Sequence, residues 1–68
     1  MSPTPRQLGR RLRARRIARG LSQAAVATRA KITREYVNKL EAGHYDPTVG
    51  VLQRLAKALG VPVTALLE

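Results

Sequence analysis

Gly20, Gly43 and Gly60 interrupt this chain at intervals that leave room only for short helices. Glycine takes up the left-handed conformation that ends a helix without a steric penalty. After each break a capping residue or a proline restarts the pattern: Ser22, Thr48 and Pro62, with Thr33 following a very short interruption at Lys31 and Ile32. Between these marks the apolar residues return at helical spacing. Leu8 and Leu12 lie four apart, Val26, Ala27 and Ala30 share one side, and Val37 and Leu40 lie three apart. Leu52, Leu55, Ala56 and Leu59 follow the i, i+3, i+4, i+7 rule. No stretch alternates with period two for long enough to make a strand. The pattern predicts an all-α, compact bundle of four to five short helices, at about 6–19, 22–30, 33–42, 48–59 and 62–67. Residues 1–5, with Pro3 and Pro5, read as an N-terminal arm before a single domain at 6–68. Residues 44–47 read as a loop, because Pro47 disfavours helical backbone at Asp46.

A chain of 68 residues makes one domain and buries only ~60% of the surface its unfolded form exposes. That leaves little core for a deep substrate pocket. There is no Cys, Phe or Trp, and only two Tyr, so the core has to be built from Leu, Val, Ile and Ala. Catalytic readings lack parts. His44 is the only histidine and has no thiol or second imidazole to complete a metal set, while Asp46 is a turn residue before Pro47. Ser22, Thr33, Thr48 and Thr64 all fall where helix caps or first turns are wanted. The expectation is a non-enzyme with no metal and no cofactor. No uncharged apolar run approaches the ~18 residues of a membrane span, and the basic N-terminus is followed by no apolar signal core. A cytoplasmic domain with no membrane partner is expected.

Thirteen Lys and Arg against four Asp and Glu give a net charge of +9. The excess is concentrated: Arg6, Arg10, Arg11, Arg13, Arg15, Arg16 and Arg19 all precede Leu21, and no acidic residue does. Such a cluster either meets an anionic partner or merely solvates a helix, and composition does not choose between them.

The two central helices carry more information. Joined by so short a turn they cannot lie antiparallel, and the helix-turn-helix unit has this geometry, with its second helix projecting into a major groove. A helix that reads base edges has to be held by apolar side chains on one face and expose polar ones on the other. The segment 33–42 fits, with Val37 and Leu40 inward and Ile32 just before its cap. Arg34, Glu35, Asn38 and Lys39 fall opposite, since 34/38 and 35/39 are i, i+4 pairs.

The stretch SQAAVATRAKITREYVNKLEAG, followed by DPT and LQRLAKALGV, resembles the lambda-repressor-like (XRE) helix-turn-helix family of phage repressors, Cro proteins and small bacterial regulators. The likeness runs from about Leu8 to Leu67. Its most specific marks are Leu21, Ser22 and Gln23, then Ala27, Leu40, Glu41 and Gly43, and last the run from Ala58 to Val61. The resemblance implies a sequence-specific regulator that binds double-stranded DNA, with helix 33–42 in the major groove of a pseudo-palindromic operator. Arg34, Glu35 and Lys39 match positions that touch base edges, and Asn38 is expected at a base edge or at the sugar-phosphate. Ser22, Gln23, Thr33 and Tyr36 are expected at phosphates, Gln23 also bracing the reading helix. Arg16 and Glu41 match a pair that forms an internal salt bridge, so Glu41 reads as structural. Glu35 keeps a second reading, as an i, i+4 partner of Lys39 worth only ~0.3–0.5 kcal/mol. Tyr36 keeps one too, as an amphipathic residue at the core edge. Arg6, Arg10 and Arg13 are assigned to a general attractive field.

The chain departs from the family pattern in four places. Lys31 stands where glycine is common in the turn, so a positive φ there would cost ~1 kcal/mol or more. Ala24 and Ala25 replace frequent acids, Ala42 lacks a polar side chain that can bind phosphate, and Arg15 and Arg19 fall on the Leu8/Leu12 side. Family members usually pair, and Val61, Val63, Leu66 and Leu67 offer more apolar surface than so small a core needs, so a homodimer through the last helix is expected. An antitoxin or other interaction module of the same fold is the alternative. Antitoxins often add a toxin-binding tail, whereas Glu68 follows the last helix directly, which favours the plain regulator. A membrane-active cationic helix would explain the arginines but not the repeated caps and stops.

Overall fold

The computed structural model describes residues 3–68, so Met1 and Ser2 of the expected arm lie outside the described residues. Five helices follow one another: α1 (Pro5–Ala18), α2 (Gln23–Ala30), α3 (Arg34–Glu41), α4 (Val49–Leu59) and α5 (Thr64–Leu67). The first four open on a threonine or serine whose hydroxyl oxygen accepts a backbone N–H of the first turn. These bonds run from Gln7 to Thr4 (3.1 Å), Ala25 to Ser22 (3.0 Å), Tyr36 to Thr33 (3.1 Å) and Val51 to Thr48 (3.2 Å). At Thr4 the cap is reciprocal, because Gln7 Oε1 accepts the Thr4 N–H at 2.9 Å. This closed cap, with Pro5 at the first helical position, starts α1 one residue earlier than its apolar spacing implies. Thr4 and Pro5 thus belong to the helix and its cap, not to the arm.

The same four helices end in one way. A residue with positive φ follows the last turn, and the next N–H reaches back five residues to a helix carbonyl: Leu21 to Arg16, Ile32 to Ala27, His44 to Lys39 and Val61 to Ala56, all at 3.0–3.1 Å. Three of the ends use Gly20, Gly43 and Gly60; α2 uses Lys31, at φ 58° and ψ 44°. The turn therefore takes the left-handed conformation that glycine favours, at the expense of a strained lysine. Lys31→Gly should raise stability by about 0.5–1 kcal/mol, the relief of left-handed strain less the added freedom of the unfolded chain. Thermal melting of the two proteins checks this. A midpoint that does not rise would mean that the lysine side chain offsets its own backbone strain.

The buried side chains of the core are aliphatic: Leu8, Leu12, Val26, Ala27, Ala30, Val37, Leu40, Leu52, Leu55, Ala56, Ala58, Leu59 and Leu66. They include every apolar position picked out by helical spacing in the first four helices. Arginine side chains clamp the helix ends onto this core. Arg54 Nε donates to the Ala30 carbonyl at 2.9 Å, Arg16 Nη1 to Leu21 O at 2.9 Å, and Arg11 Nη1 to Leu66 O at 3.4 Å. Each satisfies a carbonyl at or beyond the end of a helix. Part of the arginine excess is therefore structural.

The last helix differs from expectation. It begins at Thr64, not at Pro62, because Ala65 and Leu66 donate to Pro62 O and Val63 O in a tight turn with no side-chain cap. The assignment of Leu66 to an exposed apolar surface is also corrected. Leu66 is 0% exposed, since α5 folds back against α1 and drives it into the core. Val61, Val63 and Leu67 remain half-buried at the core edge.

Candidate nucleic-acid interface

Helices α2 and α3 pack on each other, and α1 packs across α3 behind them. On α3 the spacing divides the side chains cleanly. Val37 and Leu40 are buried and Tyr36 is half-buried, whereas Arg34, Glu35, Asn38 and Lys39 are exposed. Those four polar residues line a cleft with Gln23, the first residue of α2. The structure thus brings together the four expected base-contact residues and one of the expected phosphate-contact residues.

Glu35 and Lys39 are not paired as the second reading of Glu35 expects. Among the described residues the one salt bridge is Arg16–Glu41, and the Lys39 ammonium instead lies 5.9 Å from the centre of the Tyr45 ring. Tyr45 also packs at 46° against Tyr36, centroid to centroid 5.6 Å. Tyr45 is a residue that the sequence reading missed. It sits in the loop after α3 and carries no periodic signal, and only its contact with the face of α3 gives it a role. Tyr36 is held between the core edge and this ring, which leaves both of its sequence readings compatible with its place.

Ser22 and Thr33 use their hydroxyl oxygens as caps, yet each hydroxyl proton stays available to an anion. The first residues of their helices, Gln23 and Arg34, line the same cleft, and a helix N-terminus favours an anion.

Behind the cleft lies the Arg16–Glu41 pair. Arg16 Nε donates to Glu41 Oε2 at 2.6 Å and Nη2 to Oε1 at 3.0 Å, with side chains only 14% and 6% exposed. The hydrogen bond to Glu41 raises the Arg16 pKa above its ordinary value; burial opposes the shift and the Glu41 charge adds to it. The guanidinium therefore stays charged at every pH at which the protein is handled. Gln23 Nε2 donates to the same Glu41 Oε1 at 3.2 Å, and Asn38 Nδ2 donates to Gln23 Oε1 at 3.4 Å. Gln23 thus braces α3 through Asn38. A second depression on the far side of this Gln23–Asn38 contact is lined by Arg13, Arg16, Glu41 and Ala42. Arg16 and Glu41 neutralise each other there, which leaves Arg13 as its net charge, beside the place where Ala42 supplies no polar group. Arg13 thus has a defined place beside α3 and not only a share in a diffuse field.

A polar helix face, carried on a short turn and braced from the preceding helix, defines a helix-turn-helix domain. The chain belongs to the helix-turn-helix family, whose model matches residues 12–66. It is 36% identical over 59 residues to the immunity repressor protein of Bacillus phage phi105, a match that covers 87% of this chain and 41% of the repressor. The restriction-modification controller protein C.AhdI from Aeromonas hydrophila superposes with a TM-score of 0.89 at 34% identity, over 91% of this chain and 94% of that one. The DNA-binding domain of the P22 c2 repressor does so with a TM-score of 0.85 at 29% identity, over 87% of this chain and 78% of that one. The chain spans about half the length of the curated relatives it matches. No helix among the described residues is long and apolar enough to cross a membrane.

Proposed function

We propose that this protein is a cytoplasmic transcriptional regulator that binds double-stranded DNA by placing α3 in the major groove of an operator. One observation carries the reading: Arg34, Glu35, Asn38 and Lys39 stand together, exposed and without ion-pair partners among the described residues, on a helix fixed from behind by Val37 and Leu40. Arg34 suits the two acceptors of guanine and Glu35 the amino group of cytosine. Ser22, Gln23, Thr33 and Tyr36 take phosphates, and Arg13 joins them as a specific clamp where Ala42 offers none.

One reading helix covers few base pairs, so the regulator acts as a homodimer with half-sites about one helical turn, ~34 Å, apart. Val61, Val63 and Leu67 form the two-fold surface, without Leu66. Selection of bound duplexes from a random pool at about 150 mM salt tests the whole reading. The expected result is a two-fold-symmetric motif. Arg34→Ala should erase the preference at one position of each half-site, a loss of ~1–3 kcal/mol there. Arg13→Ala should weaken all duplexes alike and lower the salt slope by about 1. Binding without enrichment would reduce the protein to a basic DNA coat. No retention at all would favour the interaction-module reading.

A further inference from the structure

The ion pair behind the reading face does not end at Glu41. A carboxylate has lone pairs and no proton, so only an N–H group can face it. Gln23 must therefore turn its amide nitrogen to Glu41 Oε1, which points its oxygen toward Asn38. Asn38 can meet that oxygen only with its own NH2 group. Reversing Gln23 would set its oxygen against the carboxylate, and reversing Asn38 would set oxygen against oxygen. The polarity of both amides thus follows from the charge at the buried end of the chain Arg16–Glu41–Gln23–Asn38.

This decides what Asn38 has left to offer. One of its N–H groups is committed to Gln23, so its remaining capacity is one N–H and the oxygen Oδ1. An acceptor with one donor matches the N6 amino group and N7 of adenine. Guanine presents O6 and N7, two acceptors that call for two donors. Gln23 likewise keeps one N–H, the group that a phosphate oxygen requires.

We propose that Glu41, acting through Gln23, is a positioning residue that fixes the Asn38 amide with its acceptor outward and so selects adenine over guanine at the base pair Asn38 meets. The proposal rests on the DNA-reading function given above. It adds to the structural role of Glu41 a second one, in specificity.

Glu41 variants lose the salt bridge as well, so the test breaks the chain at its middle link with Gln23→Met, which keeps length and loses all hydrogen bonding. In the free 15N-labelled protein, the Asn38 side-chain NH2 should be ordered in the wild type. In Gln23→Met its order parameter should drop toward the flexible range, below about 0.6. In duplex selection, Asn38→Ala identifies the position that Asn38 reads. There the wild type should prefer adenine to guanine by roughly tenfold or more, the scale of one good amide–base pair. Gln23→Met should bring that ratio near parity while the position read by Arg34 keeps its preference. Loss of the Gln23 phosphate contact weakens every duplex in either case; an adenine ratio left intact is the result that overturns the proposal. So does an Asn38 amide that is already mobile in the wild type. If the wild type enriches no duplex, the DNA reading and the base selection fall together; an ordered Asn38 amide would then place the failure in the DNA reading and not in the relay.

Discussion

Glu41→Ala should cost ~3–5 kcal/mol of folding stability and leave little folded protein at 37 °C. The side chain is almost fully enclosed, and removing it strands the Arg16 guanidinium, 14% exposed, with no counter-charge. Arg16 would keep its bond to Leu21 O, but Gln23 would lose the acceptor that holds its amide. Stability of roughly 0.05–0.15 kcal/mol per residue gives a domain of this size only about 3–10 kcal/mol in all, so this single loss is comparable to the whole. Arg16→Ala should be as harmful, since it leaves the carboxylate unpaired and the Leu21 carbonyl without its donor.

The cost belongs to the orphaned charge and not to the loss of attraction, and a double mutant separates the two. Arg16→Leu with Glu41→Leu removes both charges, so the pair should retain more stability than either alanine variant alone. Urea denaturation of the three variants reads this directly. Single losses under about 1 kcal/mol that simply add would show that the pair behaves like an exposed surface bridge. That outcome would also weaken the relay that runs through Gln23 to Asn38.

How much of this was legible in the sequence depends on the range over which each feature is decided. Caps and stops are local, so Ser22, Thr33 and Thr48 could be placed from their neighbours alone, and the i, i+3, i+4 spacing identified the buried leucines of α4. The face of α3 was legible for the same reason. The short last helix was not. Four residues make barely one turn, too little for a period to tell which of Val61, Val63, Leu66 and Leu67 faces inward. Arginine roles were illegible where the acceptor is distant in sequence: Arg11 bonds a carbonyl 55 residues away and Arg54 one 24 residues away. The Arg16–Glu41 pair spans 25 residues and was found only through family resemblance. The link from Glu41 to Asn38 lay beyond both routes, because it leaves α3 and returns to it through a side chain of α2.

Gly9 shows the same limit at its sharpest, and it carries the second large effect. By helix propensity it is a defect, and Gly9→Ala should gain up to about 1 kcal/mol. The packing of α1 on α3 reverses the sign. A β-carbon on Gly9 would collide with the Leu40 carbonyl oxygen and stand 2.7 Å from that of Glu41 and 3.0 Å from the Glu41 carbonyl carbon. These are backbone atoms and cannot rotate aside, so α3 has to move away from α1. Such overpacking costs typically 1–3 kcal/mol, occasionally more, and here the shift also pulls Glu41 from Arg16. The expected loss for Gly9→Ala is therefore about 3 kcal/mol or more. Gly50→Ala is the control, because its nearest atom, the Thr48 hydroxyl oxygen, lies 4.0 Å away and its backbone needs no positive φ. That change should stabilise by about 0.4–1 kcal/mol. Opposite signs in thermal melts would establish that α1 and α3 meet backbone to backbone at Gly9. A stabilising Gly9→Ala would mean that the two helices stand further apart, and that the Arg16–Glu41 pair bridges a wider gap than 2.6 Å.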